Sequence, residues 1–246
     1  TVKSSDGTTQ NIVITINGTN DGPVVTGAVV GAKTDASAVF TVDLLAGATD
    51  VDAGDTLTVS GLTLSSGDVS GVTVSGNTLS VDPSKFKSLA AGATEEITYS
   101  YDVDDGSGGS VWQTAKVTIT GTDDAPVITG DVSGSVTEES SLTVSGQLSI
   151  TDVDANEAGF QADTVSGSYG SLVVDAAGDW TYTVDNSLSA VQALGSGKTL
   201  SDTVTVKSSD GTTQNIVITI NGTNDGPVVS GAVTGCLLYT SDAADE

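Results

Sequence analysis

The stretch that decides the architecture is Asn17-Gly18-Thr19-Asn20-Asp21-Gly22-Pro23-Val24-Val25. It recurs as Gly121-Thr122-Asp123-Asp124-Ala125-Pro126-Val127-Ile128, and again as Asn221-Gly222-Thr223-Asn224-Asp225-Gly226-Pro227-Val228-Val229. Each copy closes an alternating apolar pattern. Each then places two oxygen-bearing side chains ahead of one residue and a proline. Proline fixes φ, lacks an N–H and pushes its predecessor into an extended conformation. Each copy therefore reads as a short, stiff joint. Asp21, Asp124 and Asp225 are 103 and 101 residues apart, one domain length each time.

Residues 1–31 and 205–235 align without gaps and differ only at Thr26/Ser230 and Val30/Thr234. The period is 204 residues and spans two joints. Two module types therefore alternate, and the pair repeats almost unchanged. Repetition of this kind signals an extended architecture.

Between the joints the apolar residues alternate. In residues 20–121, Phe40, Val42 and Leu44 are followed by Leu57 and Val59, Val72 and Val74, then Leu79 and Val81. Ile97, Tyr99, Tyr101 and Val103 come next, then Val111, Ala115, Val117 and Ile119. Asp82-Pro83 opens a short helix, with Asp as N-cap and Phe86 and Leu89 facing inward. In residues 122–223, Leu142, Val144, Leu148 and Ile150 share a face around Gly146, and Trp180, Tyr182 and Val184 share another. Leu188, Val191 and Leu194 sit at helical spacing, with Gly195 as the expected C-cap. Many short strands with Gly-rich turns predict an all-β chain of tandem antiparallel β-sandwiches in an extended array. Residues 1–19 read as the last strands of a preceding module, and the chain as a fragment of something longer. Residues 224–235 read as the start of the next module.

The formal charge is −25, with 32 acidic residues against seven lysines, no Arg and no His. Nucleic acid and anionic membranes both demand a basic face, so neither is an expected partner. No run of 18 apolar residues is present, so no membrane insertion is expected. The single cysteine, Cys236, leaves disulfides out as the staple of these small modules and points to metal instead. With no His and no Arg, catalysis has little support, and the chain reads as a non-enzyme. Paired carboxylates also serve glycosidases, but one active site per repeated joint is implausible.

Strands of a sandwich alternate in direction, so the loops after the second and sixth strands return to the joint where the first began. In the first module those loops hold Asp50, Asp52 and Asp55, then Asp102, Asp104 and Asp105, and the joint holds Asn20 and Asp21. In the second they hold Asp152, Asp154 and Glu157, then Asp210, beside Asp123 and Asp124. Glu138 or Glu139 on the first strand is a further candidate ligand. Two carboxylates ~5 Å apart repel by about 3 kcal/mol at an effective dielectric near 20. Calcium takes six to eight oxygens from such groups and removes that cost. A solvated acidic turn is the alternative reading of any one Asp-x-Asp. Asp152-x-Asp154-x-Asn156 imitates the start of an EF-hand loop, but Glu157 stands where that loop needs glycine.

Residues 122–223 resemble a VCBS repeat of large bacterial surface proteins. The resemblance is carried by Gly134…Val136-Thr137-Glu138, Gly146…Ile150-Thr151-Asp152-Val153-Asp154, Gly167-Ser168-Tyr169-Gly170, Gly178-Asp179-Trp180-Thr181-Tyr182, Gln192-Ala193-Leu194 and Asn221-Gly222-Thr223-Asn224-Asp225. Residues 20–121 are similar to the cadherin-like modules found beside such repeats, through Ala48-Thr49-Asp50-Val51-Asp52. The resemblance implies a calcium-stiffened extender region of a secreted RTX-type or biofilm-associated adhesin at the bacterial cell surface. Its partners would be calcium and neighbouring repeats, with surface glycans or other adhesins as further candidates.

Two other functions compete. One is a module that itself grips a glycan or protein, for which Trp112, Trp180, Tyr99 and Tyr101 would have to be exposed. The other is an accessory region of a secreted polysaccharide-degrading enzyme.

Residues 236–246, Cys-Leu-Leu-Tyr-Thr-Ser-Asp-Ala-Ala-Asp-Glu, break the period. They resemble the translation of a sequencing-library adapter. Deleting them should leave the melting temperature unchanged; a clear drop on truncation would mean they belong to the fold.

Overall fold

The computed structural model describes residues 1–227, 230 and 231. The stretch 236–246 and part of 224–235 lie outside the described residues. The chain is nearly all β and divides into two units: residues 1–127 with 150–158, and residues 128–149 with 159–246.

The first unit opens on a two-stranded hairpin, β1 (Val2–Lys3) and β2 (Thr9–Gln10). Nine further strands and one helical turn follow from Val24. They are β3 (Val24–Val25), β4 (Val29–Thr34), β5 (Phe40–Asp43), β6 (Ala48–Thr49), β7 (Thr58–Ser66), β8 (Val72–Ser75), β9 (Thr78–Val81) and β10 (Thr94–Asp104). The last is β11 (Ser110–Thr120). One sheet has the order β4-β11-β10-β7 and the facing one β5-β9-β8, with β3 paired to β6. The long β10–β11 hairpin keeps strict alternation. Ile97, Tyr99, Tyr101 and Val103 point inward from one strand, and Ala115, Val117 and Ile119 from the other. Leu44, Leu79 and Val81 meet them from the facing sheet. Tyr101 donates its hydroxyl to the Leu44 carbonyl at 2.7 Å, which satisfies its one buried polar atom.

The short helix expected after Asp82 is a 3₁₀ turn, Pro83–Phe86, with Asp82 accepting from the Ser84 amide. Phe86 is buried, so the turn is pinned by its aromatic ring.

The second unit is built on β12 (Val127–Gly130), β13 (Ser133–Thr137), β14 (Thr143–Thr151), β15 (Asp163–Ser166), β16 (Gly170–Val174), β17 (Asp179–Val184), β18 (Thr199–Lys207) and β19 (Thr213–Asn221). Its sheets have the orders β12-β14-β17-β16-β15 and β13-β19-β18. The helix at 188–194 is a single turn, α1 (Ser189–Gln192), capped by Ala193 rather than by the expected Gly195. Val191 and Leu194 are nonetheless buried, so the spacing of the apolar residues is kept while the turn ends earlier.

Alongside its antiparallel pairs, each unit contains a parallel one. The strand β4 pairs parallel with β11, and β13 pairs parallel with β19.

Two motifs of the second unit acquire a physical reason. Gly146 lies beneath the Trp180 indole, where a Cβ would collide with the ring. Trp180 donates its Nε1–H to the Asp131 carbonyl at 2.9 Å. The loop Gly167-Ser168-Tyr169-Gly170 wraps the buried carboxylate of Asp202. That carboxylate accepts from the amides of Ser168 and Tyr169 at 2.8 and 2.9 Å, and from the Tyr182 hydroxyl at 2.7 Å. A buried charge requires such donors, and Gly167 leaves the room for them. Tyr182→Phe removes one donor from a buried carboxylate and should lower unfolding stability by about 1–3 kcal/mol, read by denaturant titration.

Candidate metal centre

Asp50, Asp52 and Asp55 lie on the loop between β6 and β7. Each offers a carboxylate oxygen within 4.8 Å of the others. The loop is self-braced, since the Asp52 amide donates to Asp50 Oδ1 at 2.9 Å. The joint closes over it: the Asp21 amide donates to Asp52 Oδ2 at 2.6 Å. Asn20 donates its Nδ2 to Asp105 Oδ2 at 2.8 Å. Asp105 also accepts from the amides of Ser107, Gly108 and Gly109. The Asn20 side chain first, and those amides, outweigh desolvation and hold its carboxyl below the usual range. The Ser107 hydroxyl reaches Asp55 at 2.9 Å. Joint, first loop and second loop thus converge on one place.

The same figure is built a second time. Asp152, Asp154 and Glu157 have the spacing of Asp50, Asp52 and Asp55. The Asp154 amide donates to Asp152 Oδ1 at 3.0 Å, and the Asp124 amide to Asp154 Oδ2 at 2.8 Å. Asp123, Asp154 and Glu157 bring carboxylate oxygens within 4.8 Å of one another. Asn156 adopts a φ of 69° and Gly54, at the matching place, 112°, so both loops make the same left-handed step. Asn tolerates that region better than most residues. Lys87 donates to both oxygens of Asp124, at 3.1 and 3.0 Å.

A third contribution comes from the end of each parallel strand. Just beyond β4, the Asp35 carboxylate is buried and accepts at Oδ1 from the Thr122 amide and hydroxyl, at 3.1 and 2.6 Å. Just beyond β13, the buried Glu138 accepts at Oε1 from the Thr223 amide at 2.8 Å. Each uses one oxygen on the joint and leaves the other without a partner.

The stretches between the joints match known domain families. Residues 19–120 match the family model of the cadherin-like domain, and residues 123–222 that of the bacterial cadherin-like domain. The chain carries two cadherin-like domains in tandem. No curated protein sequence matches it. Among solved structures, the human desmocollin-1 ectodomain is similar at 13% identity, with a TM-score of 0.34, over 89% of this chain and 39% of that one. Mouse cadherin-23 EC22-24 is similar at 16% identity and a TM-score of 0.44, over 83% of this chain and 67% of that one. Protocadherin gammaB7 EC3-6 gives 15% identity and a TM-score of 0.43, over 82% and 48%. The chain thus spans under half of the desmocollin and gammaB7 structures it resembles. Among the described residues, no helix is long and apolar enough to cross a membrane.

Not every acidic residue of the cadherin-like domains joins these groups. Asp102 and Asp104 lie within β10, in register with Trp112 and Ser110 of β11. Asp105, one residue beyond the strand, is the one that turns in to the joint. Asp210 closes the turn between β18 and β19, with its oxygens taken by Ser208 and Thr212. The repeated sequence makes the same turn around Asp6, where the Ser4 hydroxyl first, then the Thr8 groups, hold the carboxyl down to about 2. That role is local to the turn. Glu139 is exposed at a φ of 60°, and its amide donates to Asn186. Sequence reasoning passed over Asp35. The signal was present, because the 103-residue shift that carries Asp21 to Asp124 also carries Asp35 to Glu138.

Six buried side-chain polar atoms lack a hydrogen-bond partner among the described residues: Asp35 Oδ2, Asp50 Oδ2, Asp55 Oδ2, Glu138 Oε2, Asp152 Oδ2 and Asp154 Oδ1. All belong to these groups, and all are carboxylate oxygens. An unpartnered buried carboxylate oxygen is costly, and a hard cation accepts such oxygens as ligands. The residues present therefore fit a calcium-type ion. Asp154→Asn keeps the acceptor for the Asp124 amide but removes one charge. In chelator it should raise the stability of the metal-free chain by about 1–3 kcal/mol, and the calcium-dependent rise in melting temperature should shrink. A lower melting temperature in chelator would count against the repulsion.

Proposed function

We propose that this chain is part of a repetitive, calcium-rigidified extender of a large secreted bacterial adhesin. It would hold a terminal adhesive region away from the cell in cell-surface attachment or biofilm formation. The observation that supports this most directly is the set of six unpartnered carboxylate oxygens, all located at the joints. A core does not need them there, and a catalytic centre would not be built once per joint. A cation shared between joint and loop would lock the angle of one domain against the next. Asp35, Asp123, Asp124, Asp152, Asp154 and Glu157 would hold it at the second joint, and Asn20, Asp21, Asp50, Asp52 and Asp55 at the first. Glu138 would serve the third joint with Asn224 and Asp225. The domain boundaries at 20–121 and 122–223 are part of this proposal, as is the affinity, expected to be weak, on the order of 10⁻⁴ to 10⁻³ M.

One residue favours a second reading, a module that contacts a glycan or protein. Trp112 is 64% exposed, whereas Trp180, Tyr99 and Tyr101 are core residues. Trp112 is the one exposed aromatic ring among the described residues, and a single ring makes a poor sugar platform, so the extender stands first.

In millimolar calcium the chain should melt at a higher temperature than in chelator. Solution scattering should change from a broad distance distribution in chelator to that of a longer, narrower particle. Asp124→Ala with Asp152→Ala should scatter like the calcium-free chain even in calcium. Identical melting and scattering with and without calcium would leave the joints as solvated acidic turns.

A further inference from the structure

Lys87 stands at the C-terminal end of the 3₁₀ turn Pro83–Phe86. The backbone on both sides of it is anchored. Phe86 is buried in the core, and the Ser88 carbonyl accepts from the Ala155 amide of the acidic loop at 3.2 Å. The ammonium is thereby carried to Asp124, and it donates to both carboxylate oxygens. About a third of each side chain remains exposed, 35% for Lys87 and 30% for Asp124. The Asp124 hydrogen bond raises the lysine's proton affinity most, and the charges of Asp124, Asp35 and Asp154 add to it against desolvation. Three carboxylates of the joint thus act on this one lysine.

Among the described residues the first joint has no such ion pair. Among the described residues the one other ion pair is Lys116 with Glu96, on the β10–β11 hairpin. In the second domain, Val191 takes the buried place of Phe86, which puts Gln192 where Lys87 stands. Among the described residues a lysine is thus paired into the second joint and not into the first.

One ammonium cannot neutralise Asp35, Asp123, Asp124, Asp154 and Glu157. Asp154 is 97% buried by its 3% relative exposure, and its Oδ1 is unpartnered despite the lysine nearby. Ion pairs of this exposure are weak, and the lysine stem is flexible. A divalent ion offers the same carboxylates twice the charge. We propose that the Lys87 ammonium is the resident cation of the second joint, holding Asp124 in the metal-free chain and leaving it when a divalent cation binds. This rests on the calcium reading above and adds its regulation: the second joint loads at higher calcium than the lysine-free first joint.

The test follows thermal unfolding of the full chain across a calcium series and in chelator, for wild type, Lys87→Gln and Lys85→Gln. Lys85 is exposed on the same turn and controls for the change in net charge. In chelator, Lys87→Gln should melt roughly 2–5 °C below wild type, with Lys85→Gln close to wild type. In calcium the order should close or reverse. The calcium concentration at half-maximal shift should fall by roughly fivefold or more for Lys87→Gln alone. Equal melting of Lys87→Gln and wild type in chelator overturns the inference. So does a calcium response that is the same in both, which leaves the calcium reading standing. If calcium shifts no variant, the calcium reading falls and the exchange falls with it.

Discussion

A carboxylate oxygen that is taken out of water and given no donor sets the terms for this chain. Six of them occur among the described residues, and each sits where a strand or loop meets a joint. Their companions on the same side chains are engaged: Asp50 and Asp152 accept amides of their own loops, Asp55 the Ser107 hydroxyl, Asp154 the Asp124 amide, and Asp35 and Glu138 a threonine amide. Each carboxylate is therefore held in place by one oxygen and left open at the other. Hydrophobic packing cannot produce that arrangement, because it gains nothing from a buried charge. The sandwiches supply the rigidity, and the joints carry the electrostatic cost.

Much of the fold could be read from the residues. The inward-facing series Ile97, Tyr99, Tyr101, Val103 and its partner in β11 alternate so strictly that only a half-buried strand fits them. Asp82-Pro83 announced its turn through local chemistry, and the turn formed. The parallel closure of β4 on β11 and of β13 on β19 was not legible, because pairing partners 80 or more residues apart leave no mark on local periodicity. For the same reason α1 ended earlier than its glycine suggested: Leu194 needs burial, and burial does not need another helical residue.

The candidate site divides along the same line. Asp50, Asp52 and Asp55 and their counterparts stood out because the spacing itself repeats. Asp102 and Asp104 shared the composition of a ligand group, but their strand runs on through them and only Asp105 escapes the ladder. Asp35 lay hidden because a lone acid after a strand looks like any solvated end. Lys87 carried no signal at all, since its meaning depends on a joint 37 residues away.

The duplicated stretch has a separate consequence. The hairpin of β1 and β2 pairs Val2 with Gln10, and β18 with β19 pairs Val206 with Gln214 in the same register. Its next residues differ sharply in surroundings. Ile12, Ile14 and Ile16 are exposed, while Ile216, Ile218 and Ile220 are fully buried between β13 and β18. The turn is therefore a property of the peptide, and the core a property of whatever lies beside it. At the level of the gene, two near-identical stretches one period apart invite unequal crossing-over. An exchange within them removes or duplicates 204 residues and rejoins a hairpin that is the same on both sides. Every product keeps its sandwiches intact, so the length of such an array can drift in whole domain pairs without passing through a misfolded intermediate.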